Sequence, residues 1–142
     1  MTRRLDAARE SFPIRGVFRI SRGAKTESVV VAATIEHDGA RGRGECVPYA
    51  RYGESVESVL AQIESARAGI EAGMDRAALQ KALPAGAARN ALDCALWDLE
   101  AKRAGKRVWQ LAGLAAPAPV TTAFTLSLDT PANMEAAARA RR

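Results

Sequence analysis

The spacing of apolar residues changes character along this chain. From Ser28 to Glu36, the positions Val29, Val30, Val31, Thr34 and Ile35 form a short β-branched run, which suits a pleated surface better than a helix. The run ends at His37-Asp38-Gly39, and Asp-Gly predicts a tight hairpin turn. A return strand through Arg43, Gly44, Glu45 and Cys46 then stops before Pro48. Upstream, residues 3–14 alternate irregularly and end in Phe12-Pro13-Ile14, a pattern suited to an edge strand because proline donates nothing to a ladder. Together these segments predict a three-stranded antiparallel meander.

The period then becomes helical. From Glu54, Val56, Val59, Leu60, Ile63, Ala66 and Ile70 keep helical spacing, with Gly69 and Gly73 near the end. Asp75 stands as the N-cap of a short helix containing Ala78, Leu79 and Leu83, which Pro84 and Gly86 break. From Ala88 a third helix carries Leu92, Ala95, Leu96 and Leu99 at i, i+3, i+4 and i+7, with Arg89, Asp93, Glu100 and Lys102 largely off that stripe. Gly105 ends it, and Lys102, Arg103 and Lys106 complement its exposed carbonyls. Ala115-Ala116-Pro117-Ala118-Pro119 reads as a stiff linker. Beyond it, Val120–Leu128 predicts a strand, and Asp129-Thr130-Pro131 opens a helix from about Ala132. Strands first and helices afterwards make an α+β domain, and the last strand and helix are half of a βα repeat.

Composition narrows the function classes. With 48% hydrophobic and 26% charged residues in 142 positions, the chain fits one soluble globular domain. No apolar run reaches the ~18 to 20 residues that span a bilayer, and the first residues lack the apolar stretch of a secretory signal; the expectation is a cytoplasmic protein without a membrane partner. The net charge of +5 raises nucleic acid as a ligand. The arginines are scattered among acids, however, with no continuous basic face, which argues against it. Cys46 and Cys94 are too few and too far apart to form a metal-ligand set and read as free, buried small residues.

Three motifs carry a resemblance. Gly42-Arg43-Gly44-Glu45-Cys46-Val47-Pro48, the helix Arg89 to Lys102 with its continuation to Leu111-Ala112-Gly113, and Thr122-Ala123-Phe124-Thr125 resemble segments of the enolase superfamily. The muconate-lactonizing subgroup is the nearer likeness, and within it the dipeptide epimerases that interconvert L-Ala-D-Glu and L-Ala-L-Glu. The resemblance implies an enolase-like capping domain at 1–114, a linker at 115–119 and the incomplete start of a (β/α)8 barrel at 120–142. It also implies a lysine that removes the proton α to a carboxylate, Mg²⁺ that stabilises the enediolate, and a second lysine that returns the proton on the opposite face. Those lysines and the metal ligands belong to later barrel strands, and such a barrel takes ~250 residues. The expectation is therefore the N-terminal part of a larger isomerase, or a truncated gene product, with no catalytic or metal-binding residue of its own and no activity alone. An N-acylamino-acid racemase, a lactonizing enzyme and a non-catalytic interaction module are the alternatives.

The resemblance also implies substrate-facing residues. The first cap loop matches Phe18–Ala24, where Arg22, with Arg19 as the second choice, would pair with a substrate carboxylate through its planar fork; one of many solvated surface arginines is the other reading. The second matches Val47–Glu54, where Tyr49 and Tyr52 would line the pocket and Arg51 would meet a glutamyl side chain, unless a tyrosine packs beneath the loop. Thr125 would face the substrate and Phe124 the opposite side. The partner implied is a small dipeptide or acylated amino acid, and homo-oligomer formation is left open. Gly39–Gly44 lacks the Gly-Lys-Ser/Thr ending of a phosphate loop and reads as turn and strand. His37 is expected at the hairpin without a catalytic role, Glu45 as an anchor of the cap, and Trp97 and Trp109 in packing between helices and barrel edge.

Overall fold

A computed structural model describes residues 3–141. Three strands, β1 (Arg4–Ile20), β2 (Gly23–His37) and β3 (Ala40–Cys46), form one sheet in the order β1-β2-β3. The β2–β3 pair is antiparallel with His37 opposite Ala40, Ile35 opposite Gly42 and Ala33 opposite Gly44. Asp38 and Gly39 turn the chain with φ of 49° and 77°, the two positive values a type I′ hairpin needs. Five helices follow: α1 (Val56–Glu71), α2 (Arg76–Ala82), α3 (Ala87–Ala104), α4 (Val108–Leu111) and α5 (Pro131–Arg139).

The chain divides into two compact units, one built from residues up to Glu10 with Val29–Pro117, the other from Ser11–Ser28 with Ala118 onward. In the first unit, alternate residues Val31, Ala33 and Ile35 of β2 join Leu5 of β1 and Cys46 of β3 in one core. Val59, Ile63 and Ile70 of α1, Leu79 of α2 and Leu92, Leu96 and Leu99 of α3 complete it. Val30, Ala32 and Thr34, on the opposite face of β2, are buried as well.

Local chemistry stops and starts the helices where the spacing predicts. Ser55 and Ser58 form a reciprocal capping box at α1. Asp75 accepts the Ala78 N–H at 2.7 Å, and Gly105 ends α3 in the left-handed region at φ 61°.

Helix α3 lies directly on β3. A Cβ on Gly42 would stand 2.1 Å from the Ala95 carbonyl oxygen, and one on Gly44 2.1 Å from that of Ala91, so only glycine admits this approach. Closeness lets α3 serve the outer edge of β3, beside which no strand lies among the described residues. Asp98 accepts the Arg43 backbone N–H at 2.8 Å, Lys102 donates to the Arg41 carbonyl at 2.8 Å and Asn90 to the Glu45 carbonyl at 3.2 Å. Side chains of α3 thus satisfy backbone groups that would otherwise template another strand. At the far edge, the Arg67–Glu71 pair of α1 holds Leu5 of β1, Glu71 accepting its N–H at 3.2 Å and Arg67 donating to its carbonyl.

In the second unit, the outer parts of β1 and β2 form a long exposed ribbon. The segment after Ala118 lies against it, the Leu128 N–H donating to the Arg19 carbonyl at 2.8 Å. The Ser127 hydroxyl accepts from the Arg19 N–H and donates to the Val17 carbonyl, each at 2.9 Å. Thr130 caps α5 with Pro131 in its first turn.

Several expectations are corrected. The strand expected at Val120–Leu128 does not form: the segment carries no ladder, because one backbone bond and one serine bridge do not make a paired strand. The cap loop expected at Phe18–Ala24 is the end of a hairpin, with only Ser21 and Arg22 between the two strands. Cys94 is exposed rather than buried, since it falls off the Leu92–Ala95–Leu99 stripe of α3. Trp97 is covered by Arg76, whose guanidinium carbon sits 3.3 Å from a ring centroid while its Nε pairs with Glu100 at 2.9 Å, so the contact joins α2 to α3.

Candidate functional site

In the first unit the loop after β3 closes into a single 3₁₀ turn, Ala50–Tyr52. The Tyr52 N–H donates to the Tyr49 carbonyl at 2.8 Å and the Gly53 N–H to that of Ala50 at 3.0 Å. Gly53 leaves the turn at φ 73°, a value glycine takes without strain. The turn stacks Tyr49 against Tyr52, ring centroids 5.6 Å apart and tilted by 50°, an arrangement within the favourable range for aromatic pairs. Neither ring is buried beneath the loop: Tyr49 is 39% and Tyr52 77% exposed. Both line a cleft of about 530 Å³ with Val47, Glu54, Gly86 and Asn90.

Glu54, which sequence reasoning assigned no role, organises this loop. One carboxylate oxygen accepts the Tyr49 N–H at 3.1 Å and the other the Ala87 N–H at 2.7 Å, at the first turn of α3. A negative charge is favoured there by the exposed N–H groups and helix dipole. Gly86, which precedes α3, offers no side-chain cap, and a Cβ on it would come within 2.9 Å of Glu54 Oε1. The signal in the sequence was a carboxylate just after the aromatic pair and a glycine where a capping side chain is usual. Beside the cleft, burial pushes the Cys46 thiol up to about 11, and the Glu54 charge acts in the same direction.

Arg51 is exposed on the same turn and enters no ion pair among the described residues, unlike Arg43, which meets Glu10 and Glu45 at 2.6 and 3.2 Å. The Glu45 side chain pairs with Arg43 two residues earlier on β3, and its backbone carbonyl accepts from Asn90 of α3. His37 Nε2 meets Asp38 at 3.3 Å at the hairpin turn.

In the second unit, Arg22 is exposed in the β1–β2 turn. Thr125 lines a separate cleft of about 590 Å³ with Val17, Phe18, Phe124, Ser127 and Arg141. The Arg141 guanidinium carbon stands 4.3 Å from the Phe124 ring centroid. Arg22 is not among the residues lining that cleft. The structure thus brings Tyr49, Arg51 and Tyr52 together on one turn and places Arg22 and Thr125 in the other unit.

Among the described residues, no three His, Cys, Asp or Glu side chains gather closely enough to hold a metal ion. Magnesium takes oxygen ligands in near-octahedral array, and the described residues gather no cluster of carboxylates for it. No described helix is long and apolar enough to cross a membrane.

A three-stranded meander backed by helices, with an aromatic turn at one end of the sheet, defines an enolase-type N-terminal capping domain. Residues 3–113 match the model of the mandelate racemase / muconate lactonizing enzyme N-terminal domain, and the chain belongs to that family. It is similar to the L-Ala-D/L-Glu epimerase of Escherichia coli (strain K12), 50% identical over 125 residues that cover 88% of this chain and 39% of that protein. Among solved structures, it is similar to an enolase family member from Agrobacterium tumefaciens with homology to dipeptide epimerases and bound sodium and L-Ala-L-Glu. That match has 51% identity and a TM-score of 0.88 over 95% of this chain and 41% of the other. A dipeptide epimerase from Methylococcus capsulatus, complexed with Mg and L-Arg-D-Lys, gives 29% identity and a TM-score of 0.83 over 99% and 43%. The chain spans about two fifths of the length of these relatives.

Proposed function

We propose that this chain is the substrate-capping part of a Mg²⁺-dependent dipeptide epimerase that inverts the glutamyl α-carbon of L-Ala-D/L-Glu. What supports the reading most is the similarity to the Escherichia coli epimerase, identical at half of the aligned positions. Residues 1–114 act as the cap, 115–119 as a linker, and 120–142 as the start of the barrel domain. Proton transfer and the metal belong to the remainder of the enzyme, and this chain alone is inactive.

The residues present here bind and orient. Arg22 pairs with a substrate carboxylate, and Arg51 meets the glutamyl side chain; a guanidinium fork suits both tasks because it matches two carboxylate oxygens. Tyr49 and Tyr52 present apolar ring faces with a polar tip, able to cover a peptide while excluding water. Thr125 offers a hydroxyl to the substrate.

In the whole protein with Mg²⁺ in deuterated buffer, L-Ala-L-Glu is expected to gain one deuteron at the glutamyl α-carbon while its D-Glu epimer appears. Absence of exchange across a panel of Ala-Glu and related dipeptides would overturn the substrate assignment, and exchange confined to N-acylated amino acids would move it to a racemase of the same subgroup. Arg22→Met is expected to raise KM for the acidic dipeptide by about 10- to 100-fold, the loss of one charge-assisted interaction. An unchanged KM would remove Arg22 from the site.

A further inference from the structure

We propose that Glu54 is a positioning residue that presets the Tyr49–Tyr52 turn by locking it to the first turn of α3. The inference concerns how the candidate site is held in shape, and for its effect on substrate it rests on the dipeptide reading above.

The geometry carries it. Glu54 follows the turn directly, yet its two oxygens reach in different directions: one to the Tyr49 N–H at the start of the turn, the other to the Ala87 N–H of α3. Its own N–H donates to the Tyr49 carbonyl at 3.4 Å, so both backbone groups of Tyr49 are held by one residue. Helix α3 is firmly seated in the first unit, lying on Gly42 and Gly44 and bonded to the edge of β3. A loop tied to its first turn inherits that rigidity. The tie also explains Gly86: an alanine there would place its Cβ within 2.9 Å of the Glu54 oxygen, so the position that lacks a cap of its own leaves room for a carboxylate supplied by the loop. Without the clasp, the turn keeps its internal backbone bonds from the N–H groups of Tyr52, Gly53 and Glu54, which do not restrain it against the helix. Exposed aromatics on a turn free to move would have to be ordered each time substrate bound, at a cost in affinity.

The test uses the whole protein and two variants, Glu54→Ala and Glu54→Gln, the second keeping the shape and one acceptor oxygen. Amide-resolved hydrogen exchange is read at Tyr49 and Ala87, and at Ile63 and Leu96 as core controls. In Glu54→Gln, exchange at one of the two clasped amides is expected to speed up about 10- to 100-fold, the loss of one bond to a charged acceptor. Glu54→Ala is expected to release both, with the core controls unchanged. For the dipeptide, KM is expected to rise in both variants, more in Glu54→Ala, with kcat reduced less than KM is raised. Unchanged exchange at Tyr49 and Ala87 in either variant overturns the proposal, as does an equal rise at Ile63 and Leu96, which would make Glu54 a general stabiliser of the fold. Loosened amides with unaltered KM would overturn the presetting of the site. A wild-type protein that turns over no dipeptide would instead defeat the functional reading, leaving the exchange result to decide whether the clasp itself exists.

Discussion

Replacing Gly44 by alanine tests the seat of α3 on the sheet. The new methyl carbon would stand 2.1 Å from the Ala91 carbonyl oxygen, 2.7 Å from the Ala95 nitrogen and 2.8 Å from Cys94 Cβ. A carbon and a carbonyl oxygen meet comfortably at about 3.3 Å, so the helix would have to retreat by about 1 Å. Two of the three obstructing atoms are backbone and cannot rotate away. Retreat would lengthen the bonds from Asp98, Lys102 and Asn90 to the β3 edge, now 2.8 to 3.2 Å, and would loosen Leu92, Leu96 and Leu99, all at or below 1% exposure. Overpacking costs about 1 to 3 kcal/mol, and an obstacle made of helix backbone points to the upper end. At a urea slope of about 1 to 3 kcal/mol per molar, a cost at that upper end should lower the unfolding midpoint by about 1 to 3 M, read by far-ultraviolet circular dichroism. Gly42→Ala meets the Ala95 oxygen at 2.1 Å and should behave alike. Because either methyl lifts the same helix, the double variant should cost less than the two singles added. A midpoint unchanged in Gly44→Ala, or strict additivity of the pair, would refute the argument that these glycines serve one helix contact.

Two further outcomes concern the first unit. Asp75→Ala removes the acceptor of the Ala78 N–H and should cost about 1 kcal/mol by urea unfolding; no loss would mean that the cap is not formed. Thiol labelling should modify Cys94 first, because it is exposed while Cys46 is buried and held protonated with its thiol pushed up to about 11. Since the unfolded chain loses that proton at lower pH than the folded one, Cys46 contributes stability that declines as pH rises from about 9 towards 11. Denaturation midpoints that do not fall over this interval in wild type relative to Cys46→Ala would contradict it.

Sequence by itself determined the local features of this protein. Helical periodicity marked α1, α2 and α3; Asp75, Gly105 and Thr130-Pro131 marked helix ends; Asp38-Gly39 marked the hairpin. These are legible because each depends on a few neighbouring residues, whose φ preference or capping side chain acts within one turn. The motif from Gly42 to Pro48 and the helix from Arg89 to Lys102 pointed to the family that the domain match shows. Tertiary structure decided the rest. The long ribbon of β1 and β2 was hidden because most of its outer residues are exposed and none is fully buried, and a strand without a buried face shows little alternation. Val120–Leu128 has the composition of a strand, but a strand is defined by its partner, and none pairs with it among the described residues. The fit of Gly42 and Gly44 beneath α3 and the reach of Glu54 to Ala87 join residues distant in the chain. No periodicity records such contacts, because they exist only when packing brings two separately formed elements to within a hydrogen bond of each other.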